Sequence, residues 1–421
     1  VPERVKSPRR AAAEVLAAVL AIVLLAIATG TTDVVVFAAC IVVIIMIHEL
    51  GHLLAAKHGH MKVTEYFLGF GPRLWSFRRG ETEYGVKAFP LGGYVKIPGM
   101  TNLEEVDPAD EARTYRQQPF HARLLVALAG SAMHFLMAFV LLWALLAFVG
   151  QPDNSQIQIQ GVDPIAGHAS PAAAAGLRNG DIVVSAAGKA VGGDIDTLTR
   201  AIQSHPDQPL ALVVERGGRR VDLTVTPLDG RKVQEPGVVA PKGSAAFGVV
   251  GVTLGSPLVT VNPFHALGSA VVGLGHLGWS TVDGVAHVFT PSAFVSRFHQ
   301  VASAQAAAQA SKNGTRVSSI VGVVAIGGEA VHAGIYSTLS LLILVNLFLG
   351  VFNLFPMLPL DGGHVAIAVY ERIRTGRRKV PYHADVAKLM PFTWLMLSLL
   401  GVLFVTALLV DVLHPMANPF Q

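Results

Sequence analysis

The chain has 421 residues, of which 52% are hydrophobic and 14% charged, with a formal net charge of +4. That is too apolar for an ordinary soluble protein of this length, so a membrane protein is the expected class, with the lipid bilayer as partner and no nucleic acid. The single cysteine, Cys40, excludes an internal disulfide and a thiolate metal cluster; a small buried side chain is its expected role.

Apolar runs long enough to cross a bilayer core lie at about 11–29, 34–57, 124–149, 338–360 and 391–413. The first follows the basic segment "VPERVKSPRR", an arrangement shared with secretory signal peptides. Its length, the lack of a clear small-residue cleavage site and the nearness of the next span favour an anchoring helix, with Glu14 snorkelling to the interface. The second run ends in "IVVIIMIHELGHLLAAKHG", residues 41–59. Here His48, Glu49 and His52 form an H-E-x-x-H pattern within a span.

Residues 58–120 alternate short apolar runs with Gly and Pro turn signals, as in "EYFLGFGPRLWSFRRGETEYGVKAFPLGGYVKI", which predicts β-hairpins. Either the hairpin dips against the membrane or it is a simple cytoplasmic one. After the span at 121–150, residues near 155–235 show short strands ("DIVVSAAG", "LALVVERGG", "RVDLTVTPL") around the helical "DIDTLTRAIQ", a compact β-rich module. From 236 to 336 the pattern weakens. Residues 264–290 are amphipathic and lie either on the membrane surface or under the soluble module, while "VASAQAAAQASKNGTRVSS" reads as a mobile polar segment.

Lys and Arg concentrate near span ends on the cytoplasmic side of membrane proteins. Three segments qualify: the N-terminus (Arg4, Lys6, Arg9, Arg10), the loop with Lys62, Arg73, Arg78, Arg79, Lys87, Lys96, Arg113, Arg116 and Arg123, and the loop with Arg372, Arg374, Arg377, Arg378 and Lys379. Five spans place all three on one side. The N-terminus is then cytoplasmic, and residues 150–337 and the C-terminus are outside.

The i and i+4 spacing of His48 and His52 puts two imidazoles on one helix face, where both reach one zinc ion. Glu49 then takes a proton from a water that the ion acidifies and orients, the chemistry of metal-assisted peptide hydrolysis. Alone the pattern is moderately specific, and a polar span end in water is the bland alternative. Three ionisable groups within a span are costly, however, and point to function. A catalytic zinc needs a third protein ligand. "NLFLGVFNLFPMLPLDGGH", residues 346–364, offers Asp361 at similar depth, because at ~1.5 Å per residue both motifs lie towards the inner ends of spans that run inwards. Pro356 and Pro359 interrupt the helix there. With Asn353 they suggest an unwound stretch that binds an extended substrate backbone, the alternative being a plain helix end. His58 and His60 are expected to be solvated; His364 is near Asp361, and His134 either packs in the bundle or lines a cavity.

"HELGH" and "NLFPMLPLDGG" strongly resemble the two motifs of the site-2 protease family of intramembrane zinc metalloproteases, especially its bacterial regulator-of-sigma-E branch. The resemblance implies zinc on His48, His52 and Asp361, Glu49 as the water-activating base, and substrate handling by Asn353 and Pro356. "GFGPRLWSF" and "YGVKAFPLGGYVKIPGM" resemble the family's membrane re-entrant β-hairpin, which implies a substrate-presenting role around Gly92 and Gly93. "ASPAAAAGLRNGDIVVSAAGKAV", residues 169–191, resembles a bacterial PDZ domain, which implies either a size filter or a recruiting module. One such module stands where some relatives have two, and "SIVGVVAIG" stands where many carry a Ser-Gly-Pro turn.

The expected fold is a polytopic α-helical membrane protein: a four-span protease core plus an extra N-terminal helix, a cytoplasm-side β-hairpin and an inserted extracytoplasmic PDZ domain. Its segments are the extra helix (1–33), a first core span (34–57), a loop with the hairpin (58–120), a second span (121–150), the PDZ domain (155–235) and a connecting region (236–336). A third span (337–365), a cytoplasmic loop (366–390) and a fourth span (391–413) follow. The implied substrates are transmembrane segments of single-pass membrane proteins, such as pre-cleaved anti-sigma factors or signal-peptide remnants, in a bacterial inner membrane. The rival readings are a transporter, which leaves the H-E-x-x-H and distant Asp unexplained, and a catalytically silent PDZ scaffold.

Overall fold

The computed structural model describes residues 8–100, 104–165, 169–233, 246–376, 382, 384–416 and 420. Arg4, Lys6, Arg377, Arg378 and Lys379 of the basic clusters lie outside the described residues. Among the described residues, five helices are long and apolar enough to cross a membrane, spanning Arg10–Thr29, Thr32–His58, Phe120–Val149, Ile335–Asn353 and Ala387–Leu413.

Helices α1 (Pro8–Thr29) and α2 (Thr32–His58) are separated by Gly30, whose left-handed φ of 69° a glycine adopts without steric cost. Strands β1 (Glu65–Arg79) and β2 (Thr82–Lys96) follow. They form more than a plain hairpin, because each bends near a proline, at Gly71-Pro72 and Phe89-Pro90. Residues 73–79 pair with 82–87, whereas 65–68 pair both with 93–96 and with 83–86. The run 93–96 therefore has a neighbour on one side only. Phe70, Leu74, Phe77 and Phe89 remain exposed on this sheet, and proline at its bends removes donors that a flat edge would offer.

Helix α3 (Phe120–Ala144) continues through a π-turn to Val149. Residues 146–263 then form a compact unit. It contains β3 (Gln151–Pro152), β4 (Ile157–Val162), α4 (Pro171–Ala174), β5 (Ile182–Ala186), β6 (Lys189–Ala190), α5 (Ile195–Gln203), β7 (Leu210–Arg216), β8 (Arg219–Val225), β9 (Leu228–Asp229), β10 (Gly248–Val249), β11 (Val252–Gly255) and β12 (Leu258–Val259). The main sheet runs β11-β4-β5-β7-β8, with β6 on β5. Alternating residues of its strands, among them Ile157, Ile159, Val183, Leu212 and Val214, form one core with Leu198 and Ile202 of α5. Ser170 and Asp194 cap α4 and α5. The sheet extends past the expected limit at 235: β11, in the stretch assigned to a connecting region, pairs with β4. Strands of two to four residues are too short to declare themselves by alternation.

The described part of the connecting region, from residue 246 on, is also more ordered than its composition suggests. Helix α6 (Pro263–Val288) buries Ala266 and Ala270 and exposes Phe264 and Trp279. Helix α7 (Pro291–Ala302) follows, and of the segment expected to be mobile, residues 301–319, the part over α8 (Ala304–Lys312) is helical. Thr290 and Ser303 accept capping bonds of 3.3 Å from the N–H groups of Ala293 and Ala306. Alanine, the best helix former, supplies most of α8 and its buried residues Ala307 and Ala310. Helix α9 (Ile320–Ala333) is apolar but too short to span. A Cβ at Gly327 would lie 2.0 Å from the Phe37 ring and one at Gly328 2.6 Å from Val34, so small residues let α9 lie directly on α2.

Helices α10 (Ile335–Asn353), α11 (Asp361–Thr375) and α12 (Met390–Leu413) complete the bundle. Phe37, Ile44 and Leu342 form a core with Cys40 and Met137 packed against it. Two buried ion pairs tie it: Arg123–Glu371 (2.5 Å) joins α3 to α11, and Arg316–Asp411 (2.9 Å) anchors the chain before α9 on α12.

In the 146–263 unit, Arg216 grips Asp181 with two bonds of 2.7 and 2.6 Å. Burial raises the Asp181 pKa, but the guanidinium and the Arg178 N–H outweigh it and hold the carboxyl below its ordinary value of 3.8. A depressed folded pKa stabilises above the unfolded value, and that stabilisation disappears as pH falls through the folded one. Thermal unfolding of the full chain should thus show this unit losing stability below about pH 4, with Asp181→Asn less stable at neutral pH and flatter through that window.

Candidate metal centre and its surroundings

Helix α2 carries His48 and His52 one turn apart, with 8% and 6% of their surfaces exposed. Asp361 opens α11, some 300 positions later. One ligand atom from each of the three lies within 4.8 Å of the others. The two Nε2 atoms are 3.3 Å apart, and Asp361 Oδ2 is 3.4 Å from His48 Nε2 and 3.3 Å from His52 Nε2.

The hydrogen bonding around this cluster indicates what fits at its centre. His52 Nδ1 is 2.7 Å from the Val126 carbonyl. A carbonyl only accepts, so Nδ1 carries a proton, and in the neutral ring that binds a metal the lone pair is then on Nε2, the nitrogen nearest Asp361. Asp361 Oδ2 is buried without a hydrogen-bonding partner. Acceptors that converge this closely in a buried site need a cation between them, and two imidazoles with one carboxylate suit a divalent metal with an open fourth position.

Close helix approach makes the cluster possible. A Cβ at Gly130 of α3 would lie 2.4 Å from both His48 Cε1 and His52 Nε2, and one at Gly51 of α2 would lie 2.6 Å from the Ala129 carbonyl. On the other side, residues 354–360 are unwound between α10 and α11. Cβ atoms at Gly362 and Gly363 would come within 2.2 Å of Leu354 O and 2.5 Å of Leu358 N, so the double glycine lets the first turn of α11 press against this segment. Asp361 also sits in that first turn, where the helix dipole favours negative charge.

Glu49, next to His48, is partly buried and faces β2. A Cβ at Gly93 would be 3.1 Å from its Cγ, and the Val95 backbone bonds to its carboxylate. Tyr66 of β1 donates a 2.7 Å bond to the Met46 carbonyl, fastening the sheet to α2. Gly92 packs against Phe70, a Cβ there lying 3.1 Å from the ring. Of the residues singled out from sequence, His48, His52 and Asp361 meet, with Glu49 and Gly93 beside them. Asn353 closes α10, partly buried, while Pro356 and Pro359 are exposed in the unwound segment. His58 and His60 are exposed at the end of α2, and His364 faces the Tyr115 ring at 6.2 Å.

Sequence reasoning missed Asn346. It is fully buried in α10, its Nδ2 donates to the Leu342 carbonyl at 2.9 Å, and its Oδ1 is 3.1 Å from His134 Nδ1. Because Nδ2 must donate to a carbonyl, Oδ1 accepts from His134, whose ring lies 4.8 Å from that of His48. The signal was available: Asn346 stands seven residues before Asn353, two turns along the same helix face, in an otherwise apolar span.

Two outcomes are expected. Gly130→Ala should weaken divalent-metal binding roughly tenfold or more, measured by elemental analysis of purified protein, whereas Gly401→Ala, in open space, should not. Asn346→Leu should lower the unfolding free energy by about 1–3 kcal/mol, because it strands the buried His134 Nδ1–H; denaturant unfolding checks this.

The model of peptidase family M50 matches residues 36–398. The zinc metalloprotease Rip1 of Mycobacterium tuberculosis is 35% identical over 418 residues, covering 93% of this chain and 98% of its own. Rip1 of Mycolicibacterium smegmatis is 32% identical, covering 91% and 98%. The chloroplastic membrane metalloprotease ARASP of Arabidopsis thaliana is 28% identical, covering 82% and 72%.

Proposed function

The chain belongs to peptidase family M50, and from that premise we propose that His48, His52 and Asp361 hold its zinc ion and that Glu49 is the base of the reaction. The protein is a zinc metalloprotease of intramembrane type, embedded by several apolar helices. The observation that carries the residue assignment is the unpartnered Asp361 Oδ2 facing two imidazole Nε2 atoms at 3.3 and 3.4 Å.

Zinc, when bound, supplies a Lewis acid that polarises a carbonyl and acidifies water. The chain's own groups do the rest. Val126 holds the His52 tautomer, which keeps Nε2 free for the metal. Glu49 takes the proton of the attacking water and passes it to the leaving amide nitrogen. Helix α3 and the bent sheet enclose the site, which limits the water that reaches it to what the reaction uses.

A peptide bond in a transmembrane helix is protected by its own hydrogen bonds until that helix unwinds. The run 93–96 offers an answer: it pairs on one side only, and its other side lies at Glu49. An unwound substrate segment adds there as a further strand, a common mode of peptide capture, while Asn353 and the segment with Pro356 and Pro359 hold its backbone from the opposite side. Gly92 and Gly93 keep the approach free of side chains.

The 146–263 unit we read as a PDZ module on the outer face of a bacterial inner membrane, with the N-terminus and the β1–β2 sheet inside. Its antiparallel sheet flanked by α5 and the "ASPAAAAGLRNGD" segment support that reading. The substrates are then single-pass membrane proteins shortened outside the membrane, such as anti-sigma factors, and the module excludes those with bulky external domains.

Glu49→Gln should abolish cleavage of a reporter transmembrane segment in detergent and leave zinc bound, whereas Asp361→Ala should lose both. Turnover at the normal rate by Glu49→Gln would refute the protease assignment of this site. Gly93→Val should slow cleavage without altering zinc content. Removal of residues 160–230 should permit cutting of intact substrates; reduced cutting would instead mark the module as a recruiter.

A further inference from the structure

Away from the metal centre, the end of α2 and the β1–β2 turn flank an open hollow of about 510 Å³ lined by Lys57, His60, Arg79, Glu81 and Arg113, among others. Arg113 is neutralised by Glu81 through two bonds of 2.8 and 2.6 Å. Lys57 and Arg79 are not: among the described residues no carboxylate pairs with either. Lys57 donates only to the neutral Tyr84 hydroxyl, at 2.7 Å, and lies 5.4 Å from that ring. The cavity thus presents two uncompensated cations and a histidine.

Its surroundings indicate where the matching anion comes from. Leu54, one turn before Lys57 on α2, is 55% exposed, on a helix long and apolar enough to span the bilayer. Phe77, two residues before Arg79 and so on the same face of β1, is 45% exposed and stacks on Tyr84 at 5.3 Å. Exposed apolar side chains, an aromatic pair, and then Lys57 and Arg79 at the end of an apolar helix follow the order of layers at a membrane surface: acyl chains, interface, phosphates.

We propose that this cavity binds the phosphate headgroup of an anionic phospholipid, with Lys57 and Arg79 as its cations. Such a lipid bridges the end of α2 and the turn of the β1–β2 sheet, so it braces the sheet that reaches Glu49 from a point well outside the metal centre.

The test uses the full chain in nanodiscs that contain phosphatidylglycerol and phosphatidylcholine at equal amounts, with the lipid retained after release measured by native mass spectrometry. Wild type should retain phosphatidylglycerol preferentially. Each cation contributes roughly fivefold at an anionic surface, so Lys57→Gln with Arg79→Gln should reduce the preference by roughly 25-fold. Lys57→Arg with Arg79→Lys, which keeps both charges, should restore it and separates charge loss from misfolding. Equal retention of the two lipids by wild type, or an unchanged preference in the double Gln variant, would overturn the proposal. Displacement of phosphatidylglycerol by millimolar inorganic phosphate would overturn its lipid source and leave a site for free anions; persistence of the lipid supports it.

Discussion

Three acceptor atoms pointed at one another in an apolar interior form the constraint on which the rest of this structure depends. In the unprotonated forms that bind a metal, the His48 and His52 Nε2 atoms and the Asp361 carboxylate repel and lack solvation, which is destabilising in a buried site. A divalent cation reverses the sign of that energy. The surrounding helices are shaped to keep the three atoms together: Gly51 and Gly130 allow α3 to touch α2, and Gly362 and Gly363 let α11 start tightly against an unwound segment. None of these contacts survives a methyl group without a shift of backbone or ligand.

The same economy governs the β1–β2 sheet. Bends near two prolines fold two long strands into four paired runs, of which the outer two, 73–79 and 93–96, pair on one side only. An open strand edge is usually a liability. Here the run 93–96 lies against Glu49 of α2, next to Gly93 and bonded through the Val95 backbone. A protease that must first unwind its substrate has use for such an edge, and the metal centre and the edge are held in register by the Tyr66–Met46 bond and the packing of Gly93.

Helix α9 and the chain before it show how a short apolar element contributes without crossing. Its glycines let it lie on Phe37 and Val34 of α2, and Asp411 receives Arg316 and the Ser319 N–H at its start. The helix that bears both histidines is thereby supported from two sides, by α3 through the site and by α9 away from it.

Much of the molecule was legible in the chain alone. Apolar run length marks a span because a bilayer core has a set thickness, and five runs became five long helices. The i and i+4 histidines had to share a helix face, and three ionisable groups in an apolar run pointed to a function. Short-range patterns fared worse where elements are brief or small: β11 has four residues, α8 is mostly alanine, and α9 lies within a stretch read only as connection. Their order comes from capping bonds and from neighbours distant in sequence. Only the tertiary structure decided that Asp361 reaches His48 and His52, that Asn346 orients His134, that a sheet edge faces Glu49 and that Lys57 and Arg79 share a cavity. The physical reason is common to all four: periodicity tells which face a residue occupies, but which faces meet depends on helix and strand packing at sub-ångström tolerance, set here by a few glycines and prolines whose role appears only once their neighbours are in place.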